Sequence, residues 1–166
     1  MIENKVEKSG LLSLDLNDFI PKGERIILDV KDFLFEEVMI KENHFREIVK
    51  SHDWSIYENK FVGVTCSVDA IIPLWVYMIL ASSLQPHAKL VVRGNKSHLE
   101  GALIKRAIEG LNVQDYEKQR VIVKGCGGEI PESAYIAITT LLQPVVKSLM
   151  FGEACSTVPV FKNKKS

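Results

Sequence analysis

The sequence predicts an α/β fold with a mostly parallel sheet and helices on both faces, built from an internal strand–helix–strand duplication. Three observations lead to this prediction. Short runs rich in Val and Ile alternate with helical patterns, which is typical of parallel sheets with helical crossovers. The second half of the chain repeats the order of the first half at a nearly constant offset. With 166 residues, the chain is also a suitable length for a single α/β domain, 1–166.

The strands are predicted from short apolar runs bounded by turn residues. We expect them at 25–30, 61–65, 89–93, 120–124 and 147–151. Helices are predicted from apolar periodicity and from the residues at their starts. We expect them at 44–51 with Asn43 as cap, from Pro73 to about Pro86, from a Ser97 cap to 111, and at 131–143. Residues 1–24 alternate only weakly, and the short apolar run 33–40 does not distinguish strand from helix.

The internal repeat covers approximately 43–94 and 97–152. At an offset of 58, residues 73–94 and 131–152 share seven identities in 22 positions. Upstream, at an offset of 60, Cys66 matches Cys126. Chance coincidence of prolines and leucines is the alternative explanation, but the order, spacing and element type of the matches all agree. We therefore predict a duplication.

Composition and charge limit the binding partners and the cellular location that we expect for the protein. Lys plus Arg and Asp plus Glu both total 21, and this neutrality argues against a nucleic-acid binder. The most apolar run, 70–84, is 15 residues long, whereas a helix that crosses a bilayer needs about 20. The first residues lack the apolar core of a signal peptide. We expect a cytoplasmic protein without a membrane segment, in which thiols stay reduced.

All three cysteines, Cys66, Cys126 and Cys155, follow predicted strands. Because parallel strands end at one edge of a sheet, we expect the three thiols to converge there. Three thiolates would suit zinc or an iron–sulfur cluster, although their spacing matches no recognised motif. The acids and the histidine near the same edge could fill a fourth position, or the acids could simply be ordinary first-turn residues. They are Asp69, His98, Glu132 and Glu153. The alternative is three packed, inert thiols.

A glycine-rich loop, with Gly125, Gly127 and Gly128 around Cys126, precedes the last predicted helix. Its backbone N–H groups could bind an anion or stabilise a thiolate. Metal-free thiol chemistry is therefore a second hypothesis, with Cys126 as nucleophile and Cys66 as resolving thiol. The sequence assigns no reaction, substrate or small-molecule ligand.

A third hypothesis is a non-enzymatic, dimeric binding module whose cysteines belong to the core. The helix over 71–84 is apolar on all sides, which in a small protein indicates a homodimer interface.

Three segments resemble a bacterial family known as domain of unknown function 2480. They are 30–36, with the sequence VKDFLFE, 65–70, with TCSVDA, and 152–159, with GEACSTVP. The resemblance extends over nearly the whole chain, and the segment around Cys155 is the most specific. It implies a single-domain bacterial cytoplasmic protein, and it implies no activity or site residue.

Overall fold

The strands form two separate sheets rather than one. The computed structural model describes residues 10–125 and 130–164, and the chain divides into two compact units. Unit 1 comprises 1–21 and 103–166, and unit 2 comprises 22–102. The predicted α/β fold with mostly parallel strands is confirmed, but the single sheet is wrong because the strand orders are β1-β5-β6-β7 and β2-β3-β4.

Seven strands and four α-helices lie in the described part of the chain. The strands are β1 (Leu11–Asp15), β2 (Arg25–Asp29), β3 (Phe61–Thr65), β4 (Leu90–Arg93), β5 (Arg120–Lys124), β6 (Ser148–Glu153) and β7 (Ser156–Lys162). The helices are α1 (Glu42–Ser51), α2 (Leu74–Leu84), α3 (Lys96–Glu109) and α4 (Glu132–Leu142). Within those residues, no helix is both long enough and apolar enough to cross a membrane.

Unit 2 has a parallel sheet, and helices α1 and α2 lie on the same face of it. Val62 and Val64 of β3 point to one side, because alternate residues of a strand share a face. The core cluster that contains them also contains Phe45 of α1 and Leu80 of α2. Arg25 of β2 lies on the opposite face and bonds to Glu100 of α3, whose first turns also belong to unit 2. Helices on both faces therefore stay a prediction for this sheet. Gly63, between the two valines, belongs to the opposite face.

Unit 1 repeats this arrangement and adds an antiparallel edge strand. Val121 and Val123 of β5 share a core cluster with Ile108 of α3 and Ile138 of α4, so its helices also lie on one face. Strands β1, β5 and β6 are parallel, whereas β7 pairs antiparallel with β6. Local patterns did not predict β1, whose alternation is weak, or β7.

The helix starts differ from the sequence prediction in two places. Helix α1 follows Lys41, and no side chain caps it, so Asn43 is not its cap. At α3, the Asn95 side chain accepts a hydrogen bond from the His98 N–H, 3.2 Å, which places the capping side chain two residues before Ser97. Asn shares with Ser a short side chain that can reach back to the first turn, and the local pattern does not distinguish between them.

The two units have the same order of elements, namely strand, 3₁₀ turn, helix, 3₁₀ turn, strand, helix, strand. Asn59 and Lys118 both have positive φ, 59° and 57°, just before β3 and β5. Their N–H groups donate to the carbonyls of His87 and Val145, at 2.9 and 2.8 Å. The predicted repeat begins at residue 43 and therefore omits β2, the first strand of unit 2. It also omits β1, the first strand of unit 1, which precedes all of unit 2 in the sequence. The duplication itself stays a prediction.

Candidate functional site

Asp29 organises the carboxyl edge of the unit 2 sheet. Its carboxylate accepts hydrogen bonds from the N–H groups of Lys31, 3.0 Å, and Ser67, 3.1 Å. Partial burial alone would raise the pKa of Asp29, but hydrogen bonds from the Ser67 hydroxyl and from these two N–H groups, with the Lys31 charge, lower it. Asp29 thus ties the end of β2 to the loop after β3.

Cys66 and His98, both predicted as site residues, lie in this unit. The Cys66 thiol is half-buried and donates to the Val68 carbonyl oxygen, 3.4 Å. The His98 ring packs beside Gly94, and its Nδ1 lies 2.7 Å from the Asn95 side-chain oxygen. Asp69 is exposed in the loop after Cys66. Within the part of the chain that the structure describes, no group of three His, Cys, Asp or Glu side chains could hold a metal ion.

The carboxyl edge of unit 1 carries an ion pair between neighbouring strands. The Lys124 ammonium lies 2.9 Å from the Glu153 carboxylate. The hydrogen bond to Glu153 and its charge raise the pKa of Lys124, with smaller contributions from Asp15 and Cys155. Glu153, predicted as a metal ligand or acid, is therefore already paired with a cation. Glu132, the other acid predicted in this unit, is exposed in the first turn of α4.

Cys155 occupies a tight turn between β6 and β7 and is exposed. The expectation of core cysteines is therefore wrong for Cys155. The expectation of one shared sheet edge is also wrong, because Cys66 follows a strand of one sheet and Cys155 follows a strand of the other. Cys126, Gly127 and Gly128 lie outside the described residues, so the three-thiol metal site and the anion-binding loop stay predictions.

Gly125, the first residue of that loop, is described and buried. Its carbonyl accepts a hydrogen bond from the Tyr135 hydroxyl, 3.0 Å. A side chain at this position would collide with the Tyr135 ring. The glycine therefore allows the Tyr135 side chain of α4 to approach the backbone closely here.

An apolar cleft lies beside this contact, between α4 and the β6–β7 hairpin, and we name it the α4–β7 cleft. Its volume is about 410 Å³. Seven of the eight described residues that line it are apolar or aromatic: Val123, Tyr135, Ile138, Leu149, Met150, Phe151 and Val160, with Thr139 as the eighth. Ile138 and Leu149 are almost fully buried, whereas Val160 is 50% exposed. The buried pair forms the floor and Val160 part of the open rim.

Strand β7 extends the sheet beyond β6, and Val160 of β7 lines the cleft. A register shift between Leu149 and Met150 interrupts the β6–β7 pairing at this point. The Tyr135 and Phe151 rings meet edge to face at 5.7 Å and form one wall. The Thr139 hydroxyl donates to the Tyr135 carbonyl, 2.7 Å, so the hydroxyl hydrogens of both polar side chains are engaged with backbone oxygens.

The sequence prediction missed this cleft because it missed β7. The signal was present in the alternation of apolar residues at Val158 and Val160 after a turn, but Pro159 between them argues against a strand. A proline is tolerated here because β7 is an edge strand. Unit 2 has no strand corresponding to β7, and its sheet ends at β4.

Comparison with known proteins gives a family without an assigned activity. The family described as protein of unknown function (DUF2480) matches residues 1–163. No curated protein matches the chain. No solved structure matches it either.

Proposed function

Because the chain belongs to the DUF2480 family, whose description names no function, we propose its function from geometry: it binds an apolar small molecule in the α4–β7 cleft. The observation that carries the proposal is a cleft of about 410 Å³ lined almost entirely by apolar and aromatic side chains. Small-molecule sites are concave, mostly apolar and typically about 300–1,000 Å³ in volume.

The size of the cleft limits the ligand. An apolar cavity of about 150 Å³ accommodates benzene. A cleft of about 410 Å³ therefore has room for about two to three aromatic rings, or an aliphatic body of similar volume. The aromatic wall formed by Tyr135 and Phe151 favours a flat, ring-containing ligand, since edge and face contacts with rings add to the burial of area.

The polarity of the walls favours a ligand that is uncharged where it is buried. Among the residues that the structure describes, no charged side chain lines the cleft. The Tyr135 and Thr139 hydroxyls already donate to backbone carbonyls, so neither has a hydroxyl hydrogen left to donate to a ligand. A buried charge without a partner would cost more than the apolar contacts contribute.

A fluorescence titration with N-phenyl-1-naphthylamine tests this proposal. The probe is apolar, has three rings and brightens when it leaves water. We expect saturable binding by the wild-type protein and a loss of affinity of about tenfold or more in Val160→Trp, which fills the rim of the cleft. Val158→Trp is the matched control, because Val158 is 61% exposed on the same strand and does not line the cleft. Equal affinity in both variants would contradict the proposal.

A second candidate function is self-association through α2. Leu74 and Met78 on this helix are 81% and 72% exposed, and Ile71 just before it is 92% exposed. Helix α2 contains no charged residue. At the offset of 58, Leu74 corresponds to Glu132 of α4. The same helix position thus carries a solvated acid in one unit and a leucine in the other.

A second copy of this chain is the occupant we propose for the α2 face. An uncharged apolar face can meet its own copy across a two-fold axis without like-charge repulsion. Ala81 and Ser82 continue the exposed side of the helix and are small enough to allow close approach of two helices. The result would be a homodimer that contains two α4–β7 clefts, one in each copy.

The zinc or iron–sulfur site of Cys66, Cys126 and Cys155 remains a third proposal. Elemental analysis of protein purified without oxygen tests it. Metal bound by the wild type and lost in Cys126→Ser would support the site. An absence of metal from both proteins would refute it.

A further inference from the structure

A second cavity lies at the amino edge of the unit 1 sheet, where β5 and β6 begin, opposite the carboxyl edge that carries Lys124 and Glu153. Its volume is about 350 Å³. It is lined by Arg120, Lys147, Ser148, Met150, Pro159, Phe161 and Lys162. We name the three cations among them, Arg120, Lys147 and Lys162, the basic corner. The cavity shares only Met150 with the α4–β7 cleft.

The strand register brings the cations together. Arg120 of β5 pairs with Ser148 of β6, which in turn pairs with Lys162 of β7. Directly paired residues of neighbouring strands point to the same face, and neighbouring strands lie about 4.8 Å apart. Arg120 and Lys162 therefore flank the Ser148 hydroxyl at a backbone separation of roughly 10 Å. Lys147, the residue before Ser148, lines the same cavity.

The charges of the basic corner are not neutralised within the described residues. None of the three cations has a described acidic side chain within 4.0 Å. Eight ion pairs occur elsewhere among the described residues. All three side chains are exposed. No acidic residue of the described ranges 10–125 and 130–164 lines the cavity.

In unit 2, the equivalent position at the start of the central strand is filled by an aromatic side chain. The position that pairs with the first residues of β2 and β4 is Phe61, and it is buried. The Arg25 guanidinium and the Lys89 ammonium lie 5.3 and 5.8 Å from the centre of its ring. Arg25 also donates two hydrogen bonds to Glu100, at 2.7 and 3.1 Å. In unit 2 a buried phenylalanine ring thus occupies this place, and a glutamate neutralises the nearby arginine. In unit 1 the same place is a cavity, and its cations have no described acidic partner.

The floor of the cavity is apolar. Met150 and Pro159 pair across β6 and β7 and lie on the same face as Ser148. A ligand in this cavity would therefore meet cations and a hydroxyl at one end and an apolar surface at the other. Arginine and lysine together with a hydroxyl are typical of oxyanion binding, and Arg can engage two oxygens at once.

We propose that the basic corner binds a small phosphate monoester that carries an apolar group. The dianionic phosphate would lie between Arg120 and Lys162, within reach of the Ser148 hydroxyl. Its apolar group would rest on Met150 and Pro159. This site is separate from the α4–β7 cleft and does not depend on the proposal made for it.

Isothermal titration calorimetry with phenyl phosphate tests the proposal, with inorganic phosphate and benzyl alcohol as the partial ligands. We expect phenyl phosphate to bind more tightly than either partial ligand. Affinity should fall as NaCl is raised, because exposed charges are screened. Arg120→Gln and Lys162→Gln should each weaken phenyl phosphate binding roughly threefold or more.

Lys89→Gln is the matched control, because Lys89 of unit 2 corresponds to Lys147 at the offset of 58. Its affinity should equal that of the wild type, and Lys147→Gln should bind more weakly. An equal loss in both variants would overturn the proposal, as would an absence of saturable phenyl phosphate binding to the wild type. Displacement of phenyl phosphate by N-phenyl-1-naphthylamine would place it in the α4–β7 cleft and also overturn the proposal.

Discussion

Lys124 of β5 and Glu153 of β6 form an ion pair, 2.9 Å between Nζ and Oε2, that joins two neighbouring strands where they end. Cys155 follows two residues later in an exposed turn. The pair gives Glu153 a role in holding the edge of the sheet, where the sequence suggests a ligand or a proton donor.

The first prediction concerns pH. The pKa of Lys124 is raised above its ordinary value of 10.5, chiefly by Glu153. A raised pKa contributes stability that is fully present below the unfolded pKa and is lost as pH rises through the folded pKa. We therefore expect the urea midpoint of the wild type to fall relative to that of Glu153→Gln as the pH rises above 10.5.

The control for this measurement is Glu109→Gln, which removes an exposed pair with Lys105 whose atoms lie 3.8 Å apart. That variant should run parallel to the wild type over the same range. If the midpoints of Glu153→Gln and wild type also run parallel, Glu153 does not hold the Lys124 charge.

The second prediction concerns Asp29 and its counterpart in unit 1, Asp15. Asp29 bonds to Lys31 and, across the sheet edge, to Ser67, whereas Asp15 bonds only to Asn17 among the described residues. Asp29→Ala should lower the free energy of unfolding by about 1–2 kcal/mol. Asp15→Ala should cost less, and chemical denaturation of the two variants compares them directly. A larger loss in Asp15→Ala would contradict this account.

The third prediction follows from the lowered pKa of Asp29. A depressed carboxyl pKa contributes stability above the unfolded value of 3.8 and loses it as pH falls through the folded value. We expect an NMR titration to give Asp29 a pKa below 3.8 and Ser67→Ala to raise it. An unchanged pKa in Ser67→Ala would show that the hydroxyl does not stabilise the carboxylate.

The fourth prediction concerns the two described thiols. Cys155 is exposed, whereas Cys66 is half-buried and its thiol bonds to the Val68 carbonyl. Under native conditions Cys155 should react with iodoacetamide faster than Cys66, because access limits the buried thiol. Peptide mass spectrometry at timed intervals measures both rates in one sample. Faster labelling of Cys66 would mean that the Cys66 loop opens readily.

The fifth prediction concerns self-association. Leu74→Glu places on α2 the residue that α4 carries at the matching position, and it should weaken a dimer roughly tenfold or more. Ile136→Glu is the control, since Ile136 is similarly exposed, 69%, on α4 and corresponds to Met78. Sedimentation velocity measures both variants. A wild-type protein that stays monomeric at high concentration would refute the α2 dimer.

Local elements were predictable from the sequence where side-chain pattern alone determines them. The strands around Val62, Val121 and Leu149 are confirmed because their apolar residues are buried within parallel sheets. Strand order was not predictable, because it depends on pairing between distant segments. Strand β1 shows this clearly, since it pairs with β5 rather than with its sequence neighbour β2.

The site was predictable only in part, for the same reason. The assumption of one sheet placed Cys66 and Cys155 at a shared edge, and the existence of two sheets removes the basis for that argument. The α4–β7 cleft depends on an edge strand that contains Pro159, which local propensity argues against. The helix starts at Pro73 and Pro131 were located to within one residue, because proline acts locally on the backbone.

The most direct test of the central claim is methyl NMR of the isoleucines during titration with N-phenyl-1-naphthylamine. Ile138 lines the floor of the α4–β7 cleft, and Ile136 lies two residues away on the exposed side of the same helix. If the cleft binds an apolar ligand, the Ile138 methyl resonances shift in a saturable manner while those of Ile136 stay in place. Unchanged Ile138 resonances at saturating probe, or equal shifts at both residues, would contradict the claim.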